Sequence, residues 1–189
     1  MSLQRGFSLI EVLVTIVILA FGLLGLAGLQ ARSMTMEMES YQRAQALVLL
    51  NDMVARLEAN VAVGATPYAS TSPFGTGDSQ PDDCTSLAAG VARDQCEWSK
   101  QLKGAAETAG GANVGAMIGA RGCIEEIQAP NPVTGTCAPG IYEVAVAWQG
   151  LVDTAAPSNA CGEGLYGSTT LRRVVTARVT AATTGCTLL

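Results

Sequence analysis

Two sets of residues in this 189-residue chain are of types that do chemistry. The first is Glu11, which follows Gly6-Phe7-Ser8-Leu9-Ile10 and stands at the edge of eighteen uncharged residues, 12–29. The second is six cysteines, Cys84, Cys96, Cys123, Cys137, Cys161 and Cys186, all beyond that run. A charge in hydrocarbon costs roughly 2.5–3.5 kcal/mol. Glu11 therefore needs either a cationic partner or an edge position from which it snorkels to the headgroups. None of the cysteines forms C-x-x-C, which argues against a zinc ribbon or a thioredoxin-like site. An even number, widely spaced and downstream of an apolar segment, reads as disulfides in an oxidising compartment. The alternative is six reduced, buried thiols in a cytosolic domain.

The rest of the composition narrows the chemistry further. The chain has no histidine, so it lacks the commonest general base and metal ligand. Charged residues are 14% and the net charge is −5; beyond residue 60 there are 7 Lys and Arg against 11 Asp and Glu. With no basic patch, nucleic acid is not an expected partner. Ser8 and the scattered threonines have no base beside them in sequence, and no Gly-rich phosphate cradle is present. We expect no catalytic residue, no metal and no cofactor. Asp78, Asp82 and Asp83 are the remaining acidic group. They read as a solvated loop, because they lack the alternating ligand spacing of a calcium loop.

These residues must be positioned by a small set of elements. The run 12–29 is long enough to cross a bilayer. It exceeds the core of a cleaved signal peptide, and its exit, Leu29-Gln30-Ala31, fits a cleavage site poorly. Arg5 on one flank against Arg32 and Arg43 on the other gives only a weak orientation signal. Past Ala31 the pattern becomes amphipathic: Met34, Met38, Tyr41, Ala44, Leu47, Leu50, Val54 and Leu57 recur at helical steps. Asn60, Gly64 and Pro67 end the helix, which over residues 8–60 would be roughly 80 Å long. Met34, Met36 and Met38 read as core packing rather than as a metal or adaptable binding surface.

Residues 66–83 are rich in Pro, Gly, Ser and Thr and read as a loop. A second helix is expected over residues 84–107, with Leu87, Val91, Trp98 and Leu102 on one face and Trp98 as a core anchor. Residues 104–120, Gly- and Ala-rich, read as a loop. Three strands follow: 122–127, the weakest; 141–148, with Tyr142, Val144, Val146 and Trp148 on one face; and 171–181, with Leu171, Val175, Ala177 and Val179 together. Residues 128–140 and 149–170 read as loops.

The hexad Gly6-Phe7-Ser8-Leu9-Ile10-Glu11 resembles the processing site of type IV pilins. That resemblance implies cleavage between Gly6 and Phe7 by a prepilin peptidase, N-methylation at Phe7, and a register-setting role for Glu11 opposite the Phe7 amine of a neighbouring subunit. It implies the α+β pilin fold, a long N-terminal helix packed on an antiparallel sheet with disulfide-linked loops. The parts would be a leader, 1–6; a transmembrane and filament-core half-helix, 7–31; an amphipathic half, 32–60; and a globular domain, 61–189.

The run Ile18–Gln30, with Gly22, Gly25 and Gly28, is similar to minor pilins, and Gly28 stands where major pilins commonly carry proline. A minor pilin implies a role in priming pilus assembly at the tip. Its partners would be other minor pilins and the major pilin, a tip adhesin and the inner-membrane assembly platform. The protein would span the inner membrane once, its C-terminal domain in the periplasm, before entering the pilus. A type II secretion pseudopilin shares the Phe–Glu start and is the alternative; a membrane-tethered periplasmic binding module is a third. Six cysteines permit fifteen pairings. Adjacent pairing, Cys84–Cys96, Cys123–Cys137 and Cys161–Cys186, closes the shortest loops and is the expectation; as pilins commonly do, the last would pin the C-terminal loop to the sheet.

Overall fold

The computed structural model describes residues 6–60, 68–105, 108–110, 112–113, 115, 117–131, 133 and 137–181. The chain divides into two compact units, Met1–Ser40 and Tyr41–Leu189. Helix α1, Leu9–Ala59, begins in the first unit and ends in the second. The second unit also holds β1 (Phe74–Gly75), α2 (Val91–Leu102), β2 (Thr108–Ala109), β3 (Ala112–Asn113), β4 (Ile118–Gln128), β5 (Gly140–Gln149) and β6 (Arg172–Ala181). One sheet has the order β1-β4-β5-β6 and β2–β3 form a separate two-stranded ribbon; all pairings are antiparallel. This is the α+β architecture expected, a pilin-like one.

In the second unit, α1 buries Gln42, Ala46, Leu50, Met53 and Leu57. The stripe anticipated from the sequence is displaced. Tyr41 (49% exposed) and Leu47 (41%) lie outside the core, because apolar residues cover more than one helical stripe and only the one facing the sheet is used. In the first unit Met34, Met36 and Met38 are exposed as well, so the core role expected for them is corrected.

The sheet meets this stripe with alternate residues of β5, Tyr142, Val144, Val146 and Trp148, together with Ile124, Val175 and Val179. Trp98 of α2 fills the centre: it is fully buried, its indole N–H donates to the Leu49 carbonyl at 2.9 Å, and its ring lies 5.9 Å from that of Phe74. A Cβ at Gly122 would lie 2.1 Å from the Trp98 ring. Glycine here is a vacancy that an incoming side chain occupies, which is why strand 122–127 read as the weakest. It runs instead from Ile118 to Gln128.

Four further expectations change. The loop at 66–83 contributes β1, which pairs Phe74 with Gly122 and Gly75 with Arg121. The loop at 104–120 contains β2, β3 and the start of β4. The helix expected over 84–107 is split, a 3-10 turn at Cys84–Ser86 preceding α2, because Gly90 takes φ +112 between them, a conformation only glycine adopts freely. Leu171 belongs to a 3-10 turn ahead of β6 and not to the strand.

Candidate functional site

The N-terminal segment carries the residues singled out for processing and register. Gly6 and Phe7 precede α1, and Phe7 is 83% exposed. The Ser8 carbonyl accepts from the N–H groups of Glu11 at 3.0 Å and Val12 at 3.3 Å, opening the helix. Glu11 stands in its first turn, where a carboxylate meets the positive end of the helix dipole. Beyond it the large apolar side chains of residues 12–29 are 44–71% exposed. Thr15 returns its hydroxyl to the Val12 carbonyl at 2.8 Å, satisfying the polar group inside the greasy run. A Cβ at Gly22, Gly25 or Gly28 would meet nothing within 4 Å, so no neighbour among the described residues requires a glycine there. Among the described residues α1 is the one helix long and apolar enough to cross a membrane.

Two disulfides are described. Cys84–Cys96 ties the 3-10 turn to α2, as expected, with Cα atoms 5.7 Å apart. Cys123 bonds Cys161, Cα atoms 5.8 Å apart, and neither Cys123–Cys137 nor Cys161–Cys186 forms. Cys123 lies mid-strand, five residues before β4 ends at Gln128, roughly 17 Å of extended chain from the β4–β5 connection that carries Cys137. Cys161 instead returns in the long segment after β5 and packs with Ala145, Ala147 and Tyr166 on the sheet face opposite α1. Cys137 is also disulfide-bonded; Cys186 lies outside the described residues.

Two polar clusters fix the domain, and sequence reasoning singled out neither. Arg56 of α1 donates to Asp52 at 2.9 Å, and across to α2 at Asp94 (2.9 Å) and Glu97 (2.8 Å). Asp94 also accepts from Tyr68 at 2.6 Å. Burial, then the hydrogen bond to Asp94, pushes the Tyr68 hydroxyl above the ordinary tyrosine range. The signal that could have found this cluster is a lone arginine in the last turn of a long helix. The second cluster is Arg172, 3% exposed, whose guanidinium donates to the carbonyls of Asn159, Cys161 (2.9 Å) and Pro157 (3.2 Å). It clamps the returning segment beside the Cys123–Cys161 bond.

Of the three aspartates weighed for calcium, Asp78 and Asp83 have their carboxylates bonded within the fold, and Asp82 contributes its backbone carbonyl. Asp78 accepts from the Lys103 ammonium, the Ser99 hydroxyl at 2.6 Å and the Gly75 N–H at 2.7 Å. Burial works against its charge, but the bond to Lys103 and those that follow hold its carboxyl below the ordinary range. Asp83 caps the 3-10 turn through the Thr85 N–H at 2.9 Å, and the Asp82 carbonyl accepts from Lys100. Among the described residues no cluster of three or more His, Cys, Asp or Glu could hold a metal ion.

Residues 1–27 match the family model described as the prokaryotic N-terminal methylation motif. No curated protein and no solved structure matched the chain. The motif supports a type IV pilin-like protein, pilin or pseudopilin in general, and points to a structural subunit rather than an enzyme. It implies processing by prepilin peptidase and assembly with other pilins. The apolar helix and the motif together fit membrane anchoring and incorporation into a pilus.

Proposed function

We propose that this chain is a minor pilin, most like PilV, the type IV pilus modification protein, and that it helps to prime assembly in a complex at the pilus tip. The observation that carries the reading is the methylation motif joined to a run of large side chains, 44–71% exposed. Such a run requires lipid or neighbouring helices around it. Cleavage after Gly6 leaves a cationic amine on Phe7, and N-methylation keeps the charge. Glu11 of one subunit pairs with that amine of the next, so two groups costly in hydrocarbon neutralise each other when the stagger is right. Snorkelling of Glu11 explains one anchored chain but gives no register between chains.

Residues 1–6 form the leader, 7–31 the anchor and filament core, 32–60 the amphipathic continuation, and 61–189 the globular domain. The domain faces the periplasm before assembly. Its partners are other minor pilins, the major pilin, a tip adhesin and the inner-membrane platform. The PilV assignment is supported by the residues from Ile18 to Gln30, with Gly22, Gly25 and Gly28, the last standing where major pilins commonly carry proline. Those glycines let helices approach closely, or let the segment unwind when it leaves the bilayer.

The test is N-terminal sequencing of this protein from sheared surface filaments and from membranes. An N-methylated Phe7 in sheared filaments supports the minor pilin. The same start confined to membranes, with loss of protein secretion on deletion, means a pseudopilin. A start at or beyond Arg32 removes the filament role altogether. In the Glu11→Ala variant we expect intact cleavage and a reduced filament fraction; normal incorporation would refute the register role.

A further inference from the structure

We propose that the outer edge of β6, uncovered by any described strand, pairs with the same edge of a second copy of this chain, joining two four-stranded sheets about a two-fold axis. The two edges of the sheet are treated differently. On the β4 side a strap covers the edge: β1 pairs there, the Ser70 N–H donates to the Ile124 carbonyl at 3.1 Å, and the Thr76 N–H to the Ala120 carbonyl at 2.9 Å. On the other side β6 is the last strand in the order. Its ten residues pair with β5 in one unbroken register, without bulge or proline.

The Gly150 N–H donates to the Leu171 carbonyl at 2.8 Å. In an antiparallel ladder this directs the backbone groups of the odd-numbered β6 residues to β5 and those of the even-numbered residues outward. The Arg172 N–H is taken by the Thr169 carbonyl. Among the described residues, the outward backbone groups of Val174, Thr176, Arg178 and Thr180 make no hydrogen bond. A long, regular edge of this kind is a template for another strand, and folds that must stay single blunt it with bulges, prolines or a cover.

The sequence of the edge selects its occupant. Antiparallel pairing of β6 with itself about Thr176 sets Thr176 against Thr176, Val174 against Arg178 and Arg172 against Thr180, with no like charges opposed. Thr–Thr and β-branched pairs are favourable across strands. Arg178 is already neutralised by Glu143 of its own chain at 3.3 Å. An edge that matches itself under a two-fold gives a closed, isologous contact.

The experiment measures the mass of the full-length protein in detergent micelles, over a concentration series, for wild type, Thr176→Lys and Thr176→Glu. Thr176 is exposed, so either substitution leaves the fold in place, checked by circular dichroism. We expect wild type to form a species of twice the protomer mass and each variant alone to be monomeric, since like charges meet on the axis. An equimolar mixture of the two variants restores the dimer. Monomeric wild type at every concentration, or dimerisation that neither variant weakens, overturns the proposal. Dimers that both variants lose but their mixture does not regain overturn the register about Thr176. The contact is independent of the filament reading: Glu11→Ala is expected to keep it, and its loss there would place the contact on the N-terminal helix instead.

Discussion

The first half of α1 and the domain of the second unit solve the same solvation problem in opposite ways. In residues 12–29 every large apolar side chain stays exposed, and a Cβ on the glycines would touch nothing. In the domain, Leu50, Met53, Leu57, Trp98 and Tyr142 are at most 2% exposed, and glycine at 122 is dictated by the Trp98 ring, 2.1 Å from where a Cβ would stand. One region is built to be completed by its surroundings, the other by itself. Substitutions should therefore leave the first region's fold untouched while changing what it associates with, and do the reverse in the second.

The sharpest test of that contrast is Trp98→Ala, which empties the core centre and removes the indole N–H that donates to the Leu49 carbonyl. It should destabilise the domain by about 3–5 kcal/mol, read by denaturant unfolding. Leu24→Ala, on the exposed helix, should leave the same transition unmoved; a comparable loss there would erase the distinction between the regions. Next in size is the double replacement Cys123→Ser, Cys161→Ser. The bond spans 38 residues of sequence, so its loss should cost about 4 kcal/mol. Arg56→Met should cost about 2 kcal/mol through the charged hydrogen bonds lost to α2, shown by a lower midpoint at unchanged slope.

The smallest effects are in pH. The folded-state pKa of Asp78 is lowered, so its contribution is complete above about pH 4, the unfolded value, and is lost as pH falls through the folded one. Tyr68 is raised, so its contribution is complete below about pH 10 and is lost as pH rises beyond it. Stability profiles of Asp78→Asn and Tyr68→Phe should flatten the acid and the alkaline limb respectively. An unchanged limb in either variant would remove that residue from the account.

How much of this could be read beforehand follows the range of the interactions. The apolar run, the helix continuing past it and strand β5 rest on local periodicity, and they stand close to where the pattern put them. Strand β1 and the ribbon β2–β3 are two residues each, too short to carry a period. The buried stripe of α1 was misplaced because Met34, Tyr41 and Leu47 are as apolar as the residues actually covered. Arg56 reaches α2 partners 38 and 41 residues along the chain, Arg172 reaches carbonyls 11–15 residues back, and Cys123–Cys161 spans 38. Spacing along the chain says nothing of such meetings until the sheet has been assembled. The N-terminal hexad differs in kind: the methylation motif it belongs to implies a peptidase and other subunits, so it is legible without any fold.

The Cys123–Cys161 connection also has a consequence in time. A chain entering an oxidising compartment from its N-terminal side delivers Cys137 to the oxidant before Cys161, so the thiolate of Cys123 meets Cys137 before its native partner. The native bond is reached by waiting for the later cysteine or by exchange through a mixed disulfide. On the periplasmic placement proposed above, maturation of this domain would follow the rate of translocation, and wherever exchange supplies the native bond, removal of a thiol isomerase should trap molecules joined at Cys123–Cys137.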